Sequence, residues 1–217
     1  MRLRPALGGL GLAGLAGVAR YWRKNPSACP YAGRIFLSLP RPIITATRLE
    51  DILAPLPGER LLEIGPGTGH YTLGVARRLL PGGTLEILDV QERMLDHTLR
   101  RAQERGLANV VPGLGDAGEL PFDEDRFDGA FLVTVLAEIP DQYRALAELH
   151  RVVRHGGRVV VGEIFGDPHM VGYSTLMDLA VRIDLQPDER VGGRLGYFAR
   201  FRVNKPGRVY ARRVVSP

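Results

Sequence analysis

Residues 61–72 read LLEIGPGTGHYT, and this stretch decides the fold. The apolar run Leu61-Leu62-Glu63-Ile64 has strand character, and it breaks abruptly at Gly65-Pro66-Gly67-Thr68-Gly69. Leu73, Ala76 and Leu80 then recur at helical spacing until Pro81-Gly82-Gly83 stops them. The order is strand, glycine-rich turn, helix. Glycines let the backbone take tight angles and let a ligand approach closely, and the start of a helix offers free N–H groups to an anionic group. A dinucleotide-binding turn would read GxGxxG, whereas the third glycine here is Gly69, giving GxGxG with His70 next. That departure argues against a nicotinamide dinucleotide. An ordinary glycine-rich loop remains open on this stretch alone.

The alternation continues outward. Thr84–Leu88 is a second strand, Leu95, Leu99 and Ala102 mark a helix ended at Gly106, and Asn109–Val111 is a third strand. Gly129–Val133 reads as a buried strand. Asp141 can cap a helix carrying Leu146, Leu149 and Val153, and His155-Gly156-Gly157 turns the chain into a fifth strand, Arg158–Gly162. Strict alternation of strand and helix implies βαβ units and a parallel sheet covered by helices on both faces. After a helix at Tyr173–Ile183, Leu185–Val191 and Gly196–Val203 follow without a helix between them, which predicts an antiparallel hairpin at a sheet edge.

Two carboxylates extend the reading. Asp89 ends the second strand 24 residues beyond Gly65, where an acid can accept both hydroxyls of a ribose; a helix N-cap is the alternative use, and one side chain can serve both. Gly115-Asp116-Ala117 follows the third strand, where an Asp at the carboxyl edge can reach an adenine amino group.

The ordered set EIGPGTG, LDVQERML, GDAGELPF, RFDGAFLV and ELHRVVRHGGRVVVGE resembles the class I S-adenosylmethionine-dependent methyltransferases, particularly the group similar to menaquinone and ubiquinone C-methyltransferases, over about residues 45–205. The resemblance implies an α/β, Rossmann-like seven-stranded sheet in the order 3-2-1-4-5-7-6, with strand 7 antiparallel and helices on both faces. It implies S-adenosyl-L-methionine as cofactor, with S-adenosyl-L-homocysteine as product. Gly65, Pro66, Gly67 and Gly69 would wrap the methionine part, braced by Glu63. Asp89 would take the ribose hydroxyls and Val90 would lie against the adenine, whose edge would meet Asp116 and Ala117. Val133 and Thr134 would close over the methionine end. The Asn/Asp-Pro-Pro-aromatic tetrapeptide of amino-methylating nucleic-acid enzymes is replaced by Val133-Thr134-Val135-Leu136, and the several cysteines of an arsenic-methylating enzyme are absent.

Transfer of a methyl group from a sulfonium asks the protein mainly for alignment, with a base only where the acceptor keeps its proton. His70, Glu138, Glu163, His169 and Tyr173 fall at the carboxyl edge, and His169 or Glu138 is the candidate acid/base or acceptor-orienting group; each is also readable as a satisfied loop residue. Tyr31, Arg34, Phe36 and Arg41, in an N-terminal helical cover, are candidates to line an acceptor pocket. The apolar residues after the fourth strand favour a small hydrophobic acceptor such as a quinone, lipid or natural product. The alternative is a non-catalytic partner subunit that keeps the fold and the cofactor cleft.

Charge locates the ends. The chain carries +5 overall; residues 1–24 alone carry +5 and residues 205–217 carry +4, which leaves −4 for residues 25–204. Three segments follow: a basic Gly/Leu-rich extension (1–24), the main domain (25–204) and a basic tail (205–217). An acidic body argues against nucleic acid as partner, while basic ends suit weak contact with an anionic membrane or, equally, solvated tails. Cys29, the only cysteine, rules out an internal disulfide and suits a reducing cytoplasm; the histidines show no metal-ligand spacing.

Overall fold

The computed structural model describes residues 42–205 apart from Gly166 and Pro168. The extension at 1–24, Cys29, the tail beyond Lys205, and Tyr31, Arg34, Phe36 and Arg41 lie outside the described residues.

Seven strands form one sheet: β1 (Arg60–Ile64), β2 (Thr84–Asp89), β3 (Val110–Leu114), β4 (Phe127–Val133), β5 (Val153–Ile164), β6 (Leu185–Gly193) and β7 (Gly196–Val203). Their order is β3-β2-β1-β4-β5-β7-β6. β1 pairs in parallel with β2 and β4, and β3 and β5 extend the parallel set on either side. β7 runs antiparallel to both β5 and β6. The expected topology is therefore the observed one. The order reverses between β1 and β4, and ligands on such sheets bind outside the carboxyl ends at that switch.

Among the described residues five helices cover the sheet: α1 (Ala46–Leu53), α2 (Thr72–Arg78), α3 (Glu92–Gln103), α4 (Gln142–Val152) and α5 (Tyr173–Val181). The pleat divides the strands between two cores. Leu62, Ile64, Ala130, Leu132, Val159 and Val161 pack with α4 and α5. Leu61, Leu85, Ile87, Phe131, Val133 and Val160 pack with α1, α2 and α3. Alternate residues thus face opposite helical layers, as a sheet buried on both sides requires.

Local signals held at several ends. Asp141 Oδ1 accepts the Arg144 N–H at 2.9 Å and caps α4. Thr45 Oγ1 does the same for α1 through the Arg48 N–H at 3.2 Å. Several bounds and faces differ from the sequence reading, among them the following three. Val153 does not finish a helix; it is buried and opens β5 opposite Phe127, with a register shift before Arg158 that absorbs the His155-Gly156-Gly157 turn. The buried face of α2 carries Thr72, Val75 and Ala76, continued by Leu79, while Leu73 is half-buried and Leu80 is exposed. The helix is rotated by one residue because Thr72 must reach a buried carboxyl group of β1. β3 runs three residues further than expected, along an exposed edge. Lys205, the first residue of the basic tail, is anchored to the body by Asp125 and the Arg151 carbonyl.

Candidate functional site

A cavity opens at the carboxyl ends of β1, β2 and β4, where the strand order reverses. Gly65, Pro66, Gly67 and Thr68 form one wall, Asp89 and Val90 the next, Asp116 and Ala117 the third, and Val133, Thr134, Val135 and Glu138 the fourth.

The glycine turn can be built only by glycine at two points. Gly65 has φ +65°, and a Cβ there would meet the Val135 side chain at 2.5 Å. Gly69 has φ +75°, and a Cβ there would press on Thr98 at 3.1 Å. The turn is held from below by α3. Thr98 Oγ1 donates to the Gly67 carbonyl at 3.0 Å, and the Arg101 guanidinium donates to the Thr68 carbonyl. With those carbonyls turned down into α3, the turn is held in one shape beside the cavity. Tyr71, just past the turn, donates its hydroxyl to the Ile44 carbonyl at 2.7 Å, which docks the segment before α1 at the cavity wall.

Glu63 and Gly69 stand behind the wall rather than on it. Glu63 is buried and accepts the Thr72 hydroxyl at 2.6 Å. Burial pushes its carboxyl up to about 8; the Thr72 hydrogen bond opposes this and the charge of Asp89 adds to it. Asp89 ends β2, nearly buried. One oxygen, Oδ1, accepts the Gln91 N–H at 2.8 Å, and this is not an N-cap bond, since the cap residue of α3 is Gln91 itself. Burial raises its proton affinity, and the backbone N–H groups of Gln91 and Val90 oppose that rise. Val90 presents an apolar side chain, 53% exposed, at the cavity rim. Asp116 Oδ1 accepts the Gly118 N–H at 2.7 Å, which fixes the carboxylate beside Ala117.

Thr134 is held in an unusual conformation. It is β-branched yet has φ +57°, and its N–H bonds the Gly162 carbonyl at 2.7 Å. Such backbone costs about 1–3 kcal/mol and persists where the surroundings over-determine it. It turns the chain sharply out of β4, so that the 3-10 turn Leu136–Glu138 brings Glu138 to the same cavity.

Nine of the eleven residues expected to hold the cofactor therefore line one cavity, with Glu63 and Gly69 supporting it. Glu138 joins them. His169 does not: it lies in the segment after β5, where its N–H bonds Asp167 Oδ1 at 2.9 Å, and it is not among the cavity's lining residues. Sequence reasoning did not find Thr98, Arg101 or Thr72. Thr98 and Arg101 sit more than 30 residues from the turn and look like ordinary helix residues, and nothing in the sequence marks them. Among the described residues no group of His, Cys, Asp and Glu could hold a metal ion, and no helix is long and apolar enough to cross a membrane.

The cavity is a cradle for a nucleoside with a polar tail: glycine backbone at one end, a buried carboxylate at a strand end, an apolar platform beside it. Residues 37–181 match the ubiE/COQ5 methyltransferase family. Over 116 residues the chain is 34% identical to demethylmenaquinone methyltransferase of Bacillus subtilis (strain 168), covering 54% of this chain and 49% of that one. Over 119 residues it is 37% identical to nocamycin O-methyltransferase of Saccharothrix syringae, covering 55% and 42%. The chain thus spans about half the length of the curated relatives it matches. Among solved structures, a SAM-dependent methyltransferase from Aquifex aeolicus superposes with TM-score 0.74 at 16% identity, over 81% of this chain and 99% of that chain. The [4+2]-cyclase SpnF superposes with TM-score 0.60 at 25% identity, over 67% and 58%. With two-thirds of its length inside the family match, and with the sheet order and cavity in place, the chain belongs to the ubiE/COQ5 methyltransferase family.

Proposed function

We propose that this chain is an S-adenosylmethionine-dependent methyltransferase acting on a small, hydrophobic acceptor that carries an ionisable hydroxyl, of the quinol or phenolic natural-product type. The observation that carries the reading is the single cavity that gathers Gly65, Gly67, Asp89, Val90 and Asp116 from three separate strand ends.

The residues fit the cofactor. Gly65 and Gly67 give its amino-acid end close access to backbone. Asp89, held by one oxygen on Gln91, would take the ribose hydroxyls; Val90 would cover one face of the adenine, and Asp116 would meet its edge. When bound, the cofactor supplies a methyl group on a sulfonium sulfur, so the acceptor displaces a neutral thioether. The protein's part is alignment and the removal of one proton from the acceptor. Glu138 reaches the cavity beside Thr134, Val135, Ile139 and Pro140. Its carboxylate would take that proton, with Val135 and Ile139 beside it. His169 would act on the acceptor only from outside the cavity wall.

Relatives named for a demethylated menaquinone and for O-methylation of nocamycin support the acceptor class. The test is turnover. Purified protein is incubated with methyl-labelled S-adenosylmethionine and, in separate reactions, a short-chain demethylmenaquinol, simple catechols, RNA and a protein mixture. Label in the quinol or catechol supports the proposal. Label only in RNA or protein overturns the acceptor class, and cofactor binding without any transfer favours the partner-subunit reading.

A further inference from the structure

Glu163 is one residue from the end of β5, on the sheet face opposite the glycine turn. It is fully buried and does not line the cofactor cavity. Its Oε2 accepts one long hydrogen bond, from the Val171 N–H at 3.3 Å, and its Oε1 has no hydrogen-bond partner among the described residues. The other polar group of the same residue, the Val171 carbonyl, accepts the Tyr197 hydroxyl at 2.8 Å. Tyr197 stands directly across the ladder from Glu163. Glu163 and Tyr197 therefore clamp both backbone groups of Val171, which returns the chain from β5 into α5.

Glu138, on the turn after β4, and Asp167, in the segment after β5, act on Glu163 as like charges. Asp167 also holds the His169 N–H. Tyr173 of α5 packs edge-on to Tyr197 at 5.5 Å, and Arg190 of β6 stacks over Tyr173 at 3.9 Å. Among the described residues no cation forms an ion pair with Glu163, since Arg190 lies over the tyrosine rings. A fully buried carboxylate with one bare oxygen beside two other carboxylates is costly. A neutral carboxylic acid fits the same space better: its carbonyl oxygen accepts from Val171, and the proton on the other oxygen removes the buried charge.

We propose that Glu163 is a positioning residue for the acceptor side of the site: as a neutral group that accepts the Val171 N–H, it holds the segment carrying Asp167 and His169 in place behind the turn carrying Glu138. This rests on the reading of Glu138 as the group that faces the acceptor. Burial, with the charge of Asp167 and then of Glu138, pushes the Glu163 carboxyl up to about 8, the Val171 N–H opposing it, so the neutral form is present at neutral pH and is lost as pH rises through that value.

The test uses the full chain with S-adenosylmethionine and a short-chain demethylmenaquinol, together with infrared difference spectra that need no acceptor. In the wild type a protonated-carboxyl band is present at pH 7 and fades above about pH 8. Glu63 contributes a second such band, which Glu63→Gln removes. Glu163→Gln removes the Glu163 component, yet a glutamine stays neutral and keeps an oxygen for the Val171 N–H. Glu163→Ala is expected to lower kcat by about tenfold or more with affinity for S-adenosylhomocysteine within about twofold, the signature of lost alignment. Glu163→Gln is expected to restore the turnover that alanine loses and to abolish its decline above pH 8. Loss of turnover in Glu163→Gln equal to that in Glu163→Ala overturns the proposal, because the group then works as a carboxylate. So does a Glu163→Gln spectrum identical to wild type. If Glu163→Ala fails to fold, the spectra and pH profile of Glu163→Gln decide alone. If the wild type binds no S-adenosylhomocysteine, the methyltransferase reading fails, while the infrared result still decides the state of Glu163.

Discussion

Glu63 and Glu163 each stand one residue before the end of a buried strand, on opposite faces of the sheet, and burial pushes each carboxyl up to about 8. Their surroundings differ. Glu63 has a dedicated partner in the Thr72 hydroxyl at 2.6 Å and lies behind a turn that two residues of α3 hold from below. Glu163 has one long backbone contact, a bare oxygen and two like charges. The β1 side is a finished scaffold, where a ligand meets fixed backbone. On the β5 side the buried carboxyl of Glu163 keeps one oxygen without a hydrogen-bond partner among the described residues.

The largest expected effect falls on the finished side. Asp89→Ala should weaken binding of S-adenosylhomocysteine by about 100-fold or more, as expected when a charged acceptor of two hydroxyls is removed, measured by calorimetric titration. An unchanged affinity would move the nucleoside out of this cavity.

The two glutamates should set the pH dependence of stability. Each folded-state value lies above the usual carboxyl value, so between pH 4.5 and about 8 the folded chain holds protons that the unfolded chain has released. Stability therefore falls as pH rises through that window. Denaturant titrations of Glu63→Gln and Glu163→Gln should each flatten this slope, by on the order of 2 kcal/mol across the window, and the double variant should flatten it most. A slope that survives in the double variant breaks the comparison.

A smaller effect separates scaffold from ligand. Thr98→Val keeps shape but leaves the Gly67 carbonyl without its hydroxyl donor, which should cost about 1 kcal/mol in stability and raise the KM for S-adenosylmethionine about fivefold, with kcat little changed. The smallest effect sharpens the contrast between the glutamates. A cationic ligand near Glu63 lowers its proton affinity, so S-adenosylmethionine should release a fraction of a proton on binding near pH 7.5, whereas adenosine should release less. Titrations in buffers of different ionisation heat measure this; Glu63→Gln should abolish the release and Glu163→Gln should leave it.

Much of this was legible in the chain. GPGTG, the acids at 89 and 116 and the alternation of strands announce a parallel sheet with a ligand turn, because turn chemistry and strand ends are local; the sheet order and the rest of the nine cavity residues follow from the family resemblance that these motifs carry. The brace from Thr98 and Arg101 was not legible, since it depends on how α3 packs under a turn 30 residues earlier. Nor was the one-residue rotation of α2, where the leucines at 73 and 80 suggested an apolar face but the buried Glu63 required Thr72 on it. Glu163 was visible only as one acid among several at the carboxyl edge. Its burial and its bare oxygen are products of β7, the last strand of the sheet to appear in the chain. His169 shared that edge in sequence, yet the path after β5 keeps it off the cavity wall.

The central claim is that one cavity at the ends of β1, β2 and β4 holds the methyl donor. A crystal structure of the protein with S-adenosylhomocysteine tests it most directly. The account predicts the nucleoside in this cavity, ribose hydroxyls on the Asp89 carboxylate, adenine between Val90 and Asp116, and the sulfur facing Thr134 and Glu138. A nucleoside bound elsewhere, or an empty cavity at saturating ligand, would contradict it.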